Sequence, residues 1–191
     1  MLTQSTRTLL NVSTQPKTIP VIESRIQLAR ALDASQVTTI LLRHCNLFEF
    51  RTMLEHAYER ELAIYVNVDH IDGINPDTAG LRYLANQLHI AGIISSNPRI
   101  LTLAKSFDLE TLQRIFALDS TGLEAALDSV DRRFVDLLDI SPALVIPYVV
   151  ARKSLPLPFI GSGLIYTSQQ VQMVLRAGAS GVAVTRAELW M

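Results

Sequence analysis

The sequence predicts an α/β fold, a short TIM-barrel-like (β/α) barrel, and three observations carry that expectation. Eight short apolar runs alternate with seven helix-compatible segments from residue 18 onward, the pattern of a parallel sheet covered by helices. Hydrophobic residues make up 49% of the 191 residues, with a mean hydropathy of +0.26, as expected when strands are buried on both faces. The stretch 158–190 reads as strand, small glycine turn, helix, strand and a last turn. Barrels of this kind hold a phosphate with such turns after their seventh and eighth strands. A doubly wound open sheet competes, but the turn after Ile22 lacks the glycine fingerprint that usually opens one. The chain is shorter than most barrels, which leaves imperfect closure open.

Residues 1–17 are polar and aperiodic and are expected to form a flexible N-terminal arm, with 18–191 as a single barrel domain. The first strand is read over 18–22, before a helical pattern at 25–32. The second strand (38–42) precedes a helix at 47–60, and the third (63–67) a helix at 77–88. After the fourth strand (92–95), Asn97 and Pro98 supply an N-cap and a first-turn proline for a helix at 98–107. The fifth strand (113–117) and sixth strand (137–140) are followed by helical patterns at 123–130 and 142–151. The seventh (159–161) closes on Gly161-Ser162-Gly163, whose missing side chains allow close backbone approach. Thr167 and Ser168 are N-cap candidates for a helix at 168–177 with Val171, Val174 and Leu175 at helical spacing. Gly178 ends it, and 181–184 is the eighth strand.

Charge and cysteine content narrow the function classes. A net charge of −1 and a pI near 6.4 do not advertise a nucleic-acid-binding protein, so any RNA contact rests on a local patch. Arg132-Arg133 and Arg152-Lys153 are the only tight basic pairs and the candidates for RNA phosphates. The single cysteine, Cys45, excludes an internal disulfide framework and suits a reducing cytoplasm. No apolar run approaches the roughly 20 residues that span a bilayer, and the N-terminus lacks the apolar region of a signal peptide. A cytoplasmic protein without a membrane partner is expected.

In a barrel, the residues just after each strand line the functional face. They are Asp69 after the third strand, Ser95 at the fourth, Gln113 and Arg114 at the fifth with Asp119 beyond, and Asp139 at the sixth. Gly161, Ser162 and Gly163 follow the seventh, and Thr185 and Arg186 the eighth. This inventory suits a small phosphorylated polyol, with the turns on the phosphate and the carboxylates on hydroxyls. Alternation puts one of Gln113 and Arg114 inside the barrel and the other outside. An inward Arg114 needs a carboxylate or phosphate partner; an outward one makes an outer ion pair. Asp69-His70-Ile71-Asp72 contains metal-ligand types, but adjacent residues diverge and no second histidine supports them, so an acid at the barrel mouth is expected. No nucleophile with a base beside it is legible, and neither a catalytic set nor a cofactor is expected.

The stretches YVNVDHIDGI, AGIISSNPRILTLAK, LETLQRIFALDS and PFIGSGLIYTSQQVQMVLRAGASGVAVTRAELW closely resemble the glycerol-3-phosphate-responsive antiterminators of bacterial glycerol uptake operons. The resemblance runs from about Pro20 to Trp190. It implies a barrel regulator, not an enzyme, that senses glycerol 3-phosphate and binds leader mRNA to prevent premature termination. It also implies ligand contacts from Asp69, Ser95, Gln113, Arg114, Asp119 and Asp139, with Gly163 and Thr185 in the phosphate-side turns. Four turns depart from the family pattern, among them Ser162-Gly163 in place of two glycines and Arg186 in the final turn. The partners implied are leader mRNA and a small phosphorylated effector; homo-oligomerisation is left open. The alternative is a barrel enzyme, with Asp69 or Asp139 as acid or base, or a sensor module without RNA, acting on another small phosphorylated metabolite.

Overall fold

Eight parallel strands close a ring in sequence order in a computed structural model that describes Leu9 and residues 17–190. They are β1 (Lys17–Ile22), β2 (Thr39–Leu42), β3 (Ala63–Asn67), β4 (Gly92–Ser95), β5 (Glu110–Phe116), β6 (Leu137–Ser141), β7 (Phe159–Ser162) and β8 (Gly181–Val184). Thr18 of β1 stands opposite Val182 of β8, so the barrel is fully closed. Strands of four to seven residues with short connections complete it within the chain's modest length. Among the described residues seven α-helices intervene: α1 (Arg25–Asp33), α2 (Leu47–Glu59), α3 (Thr78–Asn86), α4 (Pro98–Lys105), α5 (Ser120–Asp128), α6 (Ile146–Val150) and α7 (Ser168–Arg176). Apart from Leu9 and Lys17, the arm expected over 1–17 lies outside the described residues; Lys17 already belongs to β1.

The helix starts follow local capping chemistry. Asn97 accepts from the Arg99 N–H ahead of Pro98. Thr167 accepts from Gln170 N at 3.2 Å while the Gln170 side chain accepts from Thr167 N at 3.1 Å, a reciprocal capping box. Asp119 caps α5 by accepting from Gly122 N at 2.7 Å, which starts that helix three residues before the expected position. The helix expected at 142–151 is a 3-10 turn, Ala143–Val145, followed by the five-residue α6. Pro147 cannot donate to the turn before it, so the α-helix begins anew there.

Alternation along the strands separates two apolar layers. Ile19, Val21, Leu41, Tyr65, Ile94, Leu112, Leu137, Ile160 and Ala183 fill the barrel interior. Ile22, Leu42, Val66, Ile93, Ile115, Ile140 and Val182 face the helices. Cys45 is buried in this outer layer. β5 begins three residues earlier than expected because a charged residue, Glu110, is carried into the barrel. The Tyr65 hydroxyl donates to Glu110, and the Leu9 N–H donates to Tyr65 Oη at 2.7 Å and Glu110 Oε2 at 3.1 Å. Burial, then the Glu110 charge, push the Tyr65 phenol far above its ordinary range, so it stays a donor. Leu9 is itself buried against the interior layer and covers this end of the barrel.

Candidate functional site

At the opposite end, where the strands finish, a cavity of about 120 Å³ opens between β1, β2, β5, β7 and β8. Its floor is apolar, with Val21, Leu41 and Ala183 continuing the interior layer. Its walls are polar. The end of β7 and its turn contribute Ser162, Gly163 and Leu164, the turn after β8 contributes Thr185 and Arg186, Arg43 directly follows β2, and Arg114 lies in β5. The same alternation that points Leu41 and Leu112 inward points Arg43 and Arg114 inward, two residues further toward the mouth.

Each of the three guanidiniums is held by a carboxylate. Arg43 donates to Glu23 Oε1 from Nε at 2.9 Å and Nη2 at 2.7 Å. Arg186 Nη1 lies 3.0 Å from Glu188 Oε1, and its guanidinium is 5.3 Å from the centroid of the Tyr166 ring. Arg114 donates to Asp139 Oδ2 from Nε at 2.8 Å and also from Nη2. Arg114 is 7% exposed and Asp139 is wholly buried. Because both bonds go to Oδ2, Asp139 Oδ1 is buried with no hydrogen-bond partner. A guanidinium has five N–H donors, so each arginine keeps donors beyond those its carboxylate occupies.

The turn after β7 is sharply bent. Gly163 has φ +78°, and a Cβ there would stand 2.8 Å from Ser141 Oγ. Leu164 follows at φ +57° with its side chain 58% exposed, a local cost of about 1 kcal/mol for a residue with a Cβ. Two consecutive positive φ values turn the chain sharply here, and Ser162, Gly163 and Leu164 all line the cavity.

Of the predicted residues, Arg114, Ser162, Gly163, Thr185 and Arg186 line this cavity, and Asp139 stands behind Arg114. Asp69 is at the rim, in a 3-10 turn (Val68–His70) after β3. It accepts from Ser95 Oγ at 2.6 Å, Ser96 N at 2.6 Å and Ser96 Oγ at 2.8 Å, which clamps the ends of β3 and β4 together. Among the described residues no group of three His, Cys, Asp or Glu side chains is arranged to hold a metal. The other predicted residues are placed elsewhere. Gln113 and Ser95 have the outward parity of Ile115 and Ile93, so Arg114 is the inward member of the Gln113–Arg114 pair. A Cβ on Gly161 would stand 2.8–2.9 Å from Ile146, Ala143 and Val174, so that glycine admits the helical layer against the strand. Asp119 caps α5 beside a separate groove.

Two residues at this end were not singled out as site residues. Arg43 could have been found from its place two residues beyond the inward Leu41. Asn67, at the end of β3, is fully buried; its Oδ1 accepts from Asp69 N at 3.2 Å and its Nδ2 has no partner. The His70 and His44 rings lie 4.8 Å apart at the rim. Burial, with the His44, Arg114 and Arg43 charges, lowers the pKa of His70 below its ordinary value. On the outer surface, Arg132 and Lys153 line one hollow, so the two basic pairs are neighbours. Arg133 is ion-paired with Asp131 at 2.7 Å, and that contact draws Asp131 down to about 2.

Residues 18–190 match the family described as glycerol-3-phosphate responsive antiterminator. A curated Escherichia coli K12 protein, YgcP, is 21% identical over 184 residues, 95% of each chain. Among solved structures, the glycerol uptake operon antiterminator regulatory protein of Listeria monocytogenes has a TM-score of 0.83 at 23% identity, covering 94% of this chain and 97% of its own. A glycerol uptake operon antiterminator-related protein from Thermotoga maritima has a TM-score of 0.79 at 19% identity, covering 92% and 98%. The orotidine 5'-phosphate decarboxylase of Pyrococcus horikoshii, at 11% identity and a TM-score of 0.59 over 87% and 88% of the two chains, shares the barrel.

Proposed function

This chain belongs to the glycerol-3-phosphate responsive antiterminator family, and from that premise we propose that it binds glycerol 3-phosphate in the mouth cavity. So loaded, it binds the leader mRNA of glycerol-utilisation operons and prevents premature termination, acting in the cytoplasm. The observation that carries the reading is the pairing of an arginine-walled cavity with a buried, unpartnered carboxylate oxygen beside it. The phosphate takes N–H donors from Arg43, Arg114 and Arg186 and from the Ser162-Gly163-Leu164 backbone. Asp139 Oδ1 accepts a hydrogen bond from a glycerol hydroxyl.

Membership of a regulatory family supports a sensor over an enzyme at this mouth. Asp69 is engaged by three hydrogen bonds from Ser95 and Ser96, and Asp139 Oδ2 by Arg114, which leaves Asp139 Oδ1 to take the ligand hydroxyl. The effector is the only small molecule the function requires. It favours the conformation of the turns that binds RNA, and by linkage RNA then raises effector affinity by the same factor.

A gel-shift titration of a glycerol-operon leader RNA, with and without glycerol 3-phosphate, tests this. Ligand-enhanced binding that weakens as salt rises is expected. Absence of binding at low salt with ligand present would sink the regulator reading. Isothermal calorimetry separately reports whether glycerol 3-phosphate binds and whether inorganic phosphate binds more weakly.

A further inference from the structure

Outside the ring of strands, a groove of about 280 Å³ runs between the turn after β5, α5 and α6. Its base is apolar, from Leu123 and Leu127 on one wall to Val145 and Val149 on the other. Its lips carry Leu118, 87% exposed, and Tyr148, 75% exposed. Two such side chains standing in water beside an apolar groove form a surface of the kind that protein contacts cover.

The charges of this groove are sorted by wall. Asp119 and Glu124 stand on the α5 side; Arg152 and Lys153 follow α6 on the other. Lys153 has Asp128 at 3.4 Å, but among the described residues Glu124 and Arg152 form no ion pair. We propose that this groove is the contact between two copies of this chain related by a two-fold axis. Such an axis lays one surface on itself, so an acidic wall meets the partner's basic wall on both sides at once. Leu118 and Tyr148 of each copy enter the groove of the other, and the unpaired charges form the rim. A single strand of RNA would gain from Tyr148 and Arg152, but it would bring its phosphates against Asp119, Glu124 and Asp128. A second copy uses both signs of charge, and so it fits the surface better.

Sedimentation velocity on the full chain over a concentration series tests the proposal. The unmodified chain is expected to dimerise. Glu124→Arg sets Arg against Arg152 of its partner, and Arg152→Glu sets Glu against Glu124, so each variant alone is expected to be monomeric. An equimolar mixture of the two variants restores opposite charges at both rim contacts and is expected to form a heterodimer. Tyr148→Ala is expected to raise the dissociation constant about 100-fold, since an aromatic anchor counts twice across a two-fold axis. Circular dichroism checks that each variant is folded, and the recovered heterodimer does so independently. The proposal fails if the unmodified chain is monomeric at its highest soluble concentration. It fails also if the charge variants dimerise unchanged, if the mixture stays monomeric, or if Tyr148→Ala abolishes leader RNA binding with no change in oligomeric state.

Discussion

The Arg114–Asp139 pair gives the sharpest test of how this barrel mouth is held together. Asp139 is wholly buried and Arg114 nearly so, and both hydrogen bonds of the pair go to one carboxylate oxygen. Replacing Arg114 by Met keeps most of the side-chain volume and strands a buried carboxylate that already has one unsatisfied oxygen. Removing one partner of such a pair costs about 3–5 kcal/mol, a large part of the 5–15 kcal/mol that usually holds a domain together. Replacing both, as Arg114→Met with Asp139→Leu, removes the desolvation penalty along with the attraction. That double variant is expected within about 1–2 kcal/mol of the unmodified chain, giving a coupling of at least about 2 kcal/mol. Urea denaturation followed by circular dichroism supplies the four free energies of the cycle, and calorimetry on the same proteins should find glycerol 3-phosphate binding lost in all three variants. A cost below about 1 kcal/mol for Arg114→Met, or coupling within about 0.5 kcal/mol of zero, would refute the argument that the pair is a desolvated unit.

Gly161→Ala inserts a methyl group 2.8–2.9 Å from Ile146, Ala143 and Val174, and is expected to lower stability by about 1–3 kcal/mol in thermal or urea melts. Gly163→Ala instead meets a left-handed backbone and Ser141 Oγ. The conformational penalty of about 1–2 kcal/mol falls on the turn itself, so calorimetry should show effector affinity reduced about tenfold. His70 should titrate below the ordinary value of about 6.5 in an NMR pH series, and His44→Ala should move the midpoint upward by removing a neighbouring positive charge. With a folded-state value below the unfolded one, the stability linked to His70 is fully present above pH 6.5. It is lost as the pH falls from there through the folded value. A midpoint at or above the ordinary value would contradict the partial desolvation and the positive neighbours of His70.

The order of elements was legible because it depends on local patterns: apolar runs of strand length, Asn97-Pro98 and Thr167 at helix starts, and small residues in the turn after β7. The boundaries of β5 and α5 were not, since both depend on partners far along the chain or on a cap. Glu110 enters a strand only because Tyr65 and Leu9 satisfy its carboxylate. At the site, the sequence alone picked out the turns after β7 and β8 that line the cavity and the charged residues at the strand ends. It could not tell inward from outward residues where two polar side chains adjoin, because parity is set by which neighbours fill the interior layer. Arg114 and Gln113 were therefore equivalent in sequence and opposite in the fold, and Arg43 passed unselected although it walls the cavity. By itself the sequence determined the barrel and its family, since both are written in short-range periodicity and motif. Only the tertiary structure decided full closure, the Arg43, Arg114 and Arg186 wall, and the orphaned Asp139 oxygen, since these arise where strands distant in sequence come together.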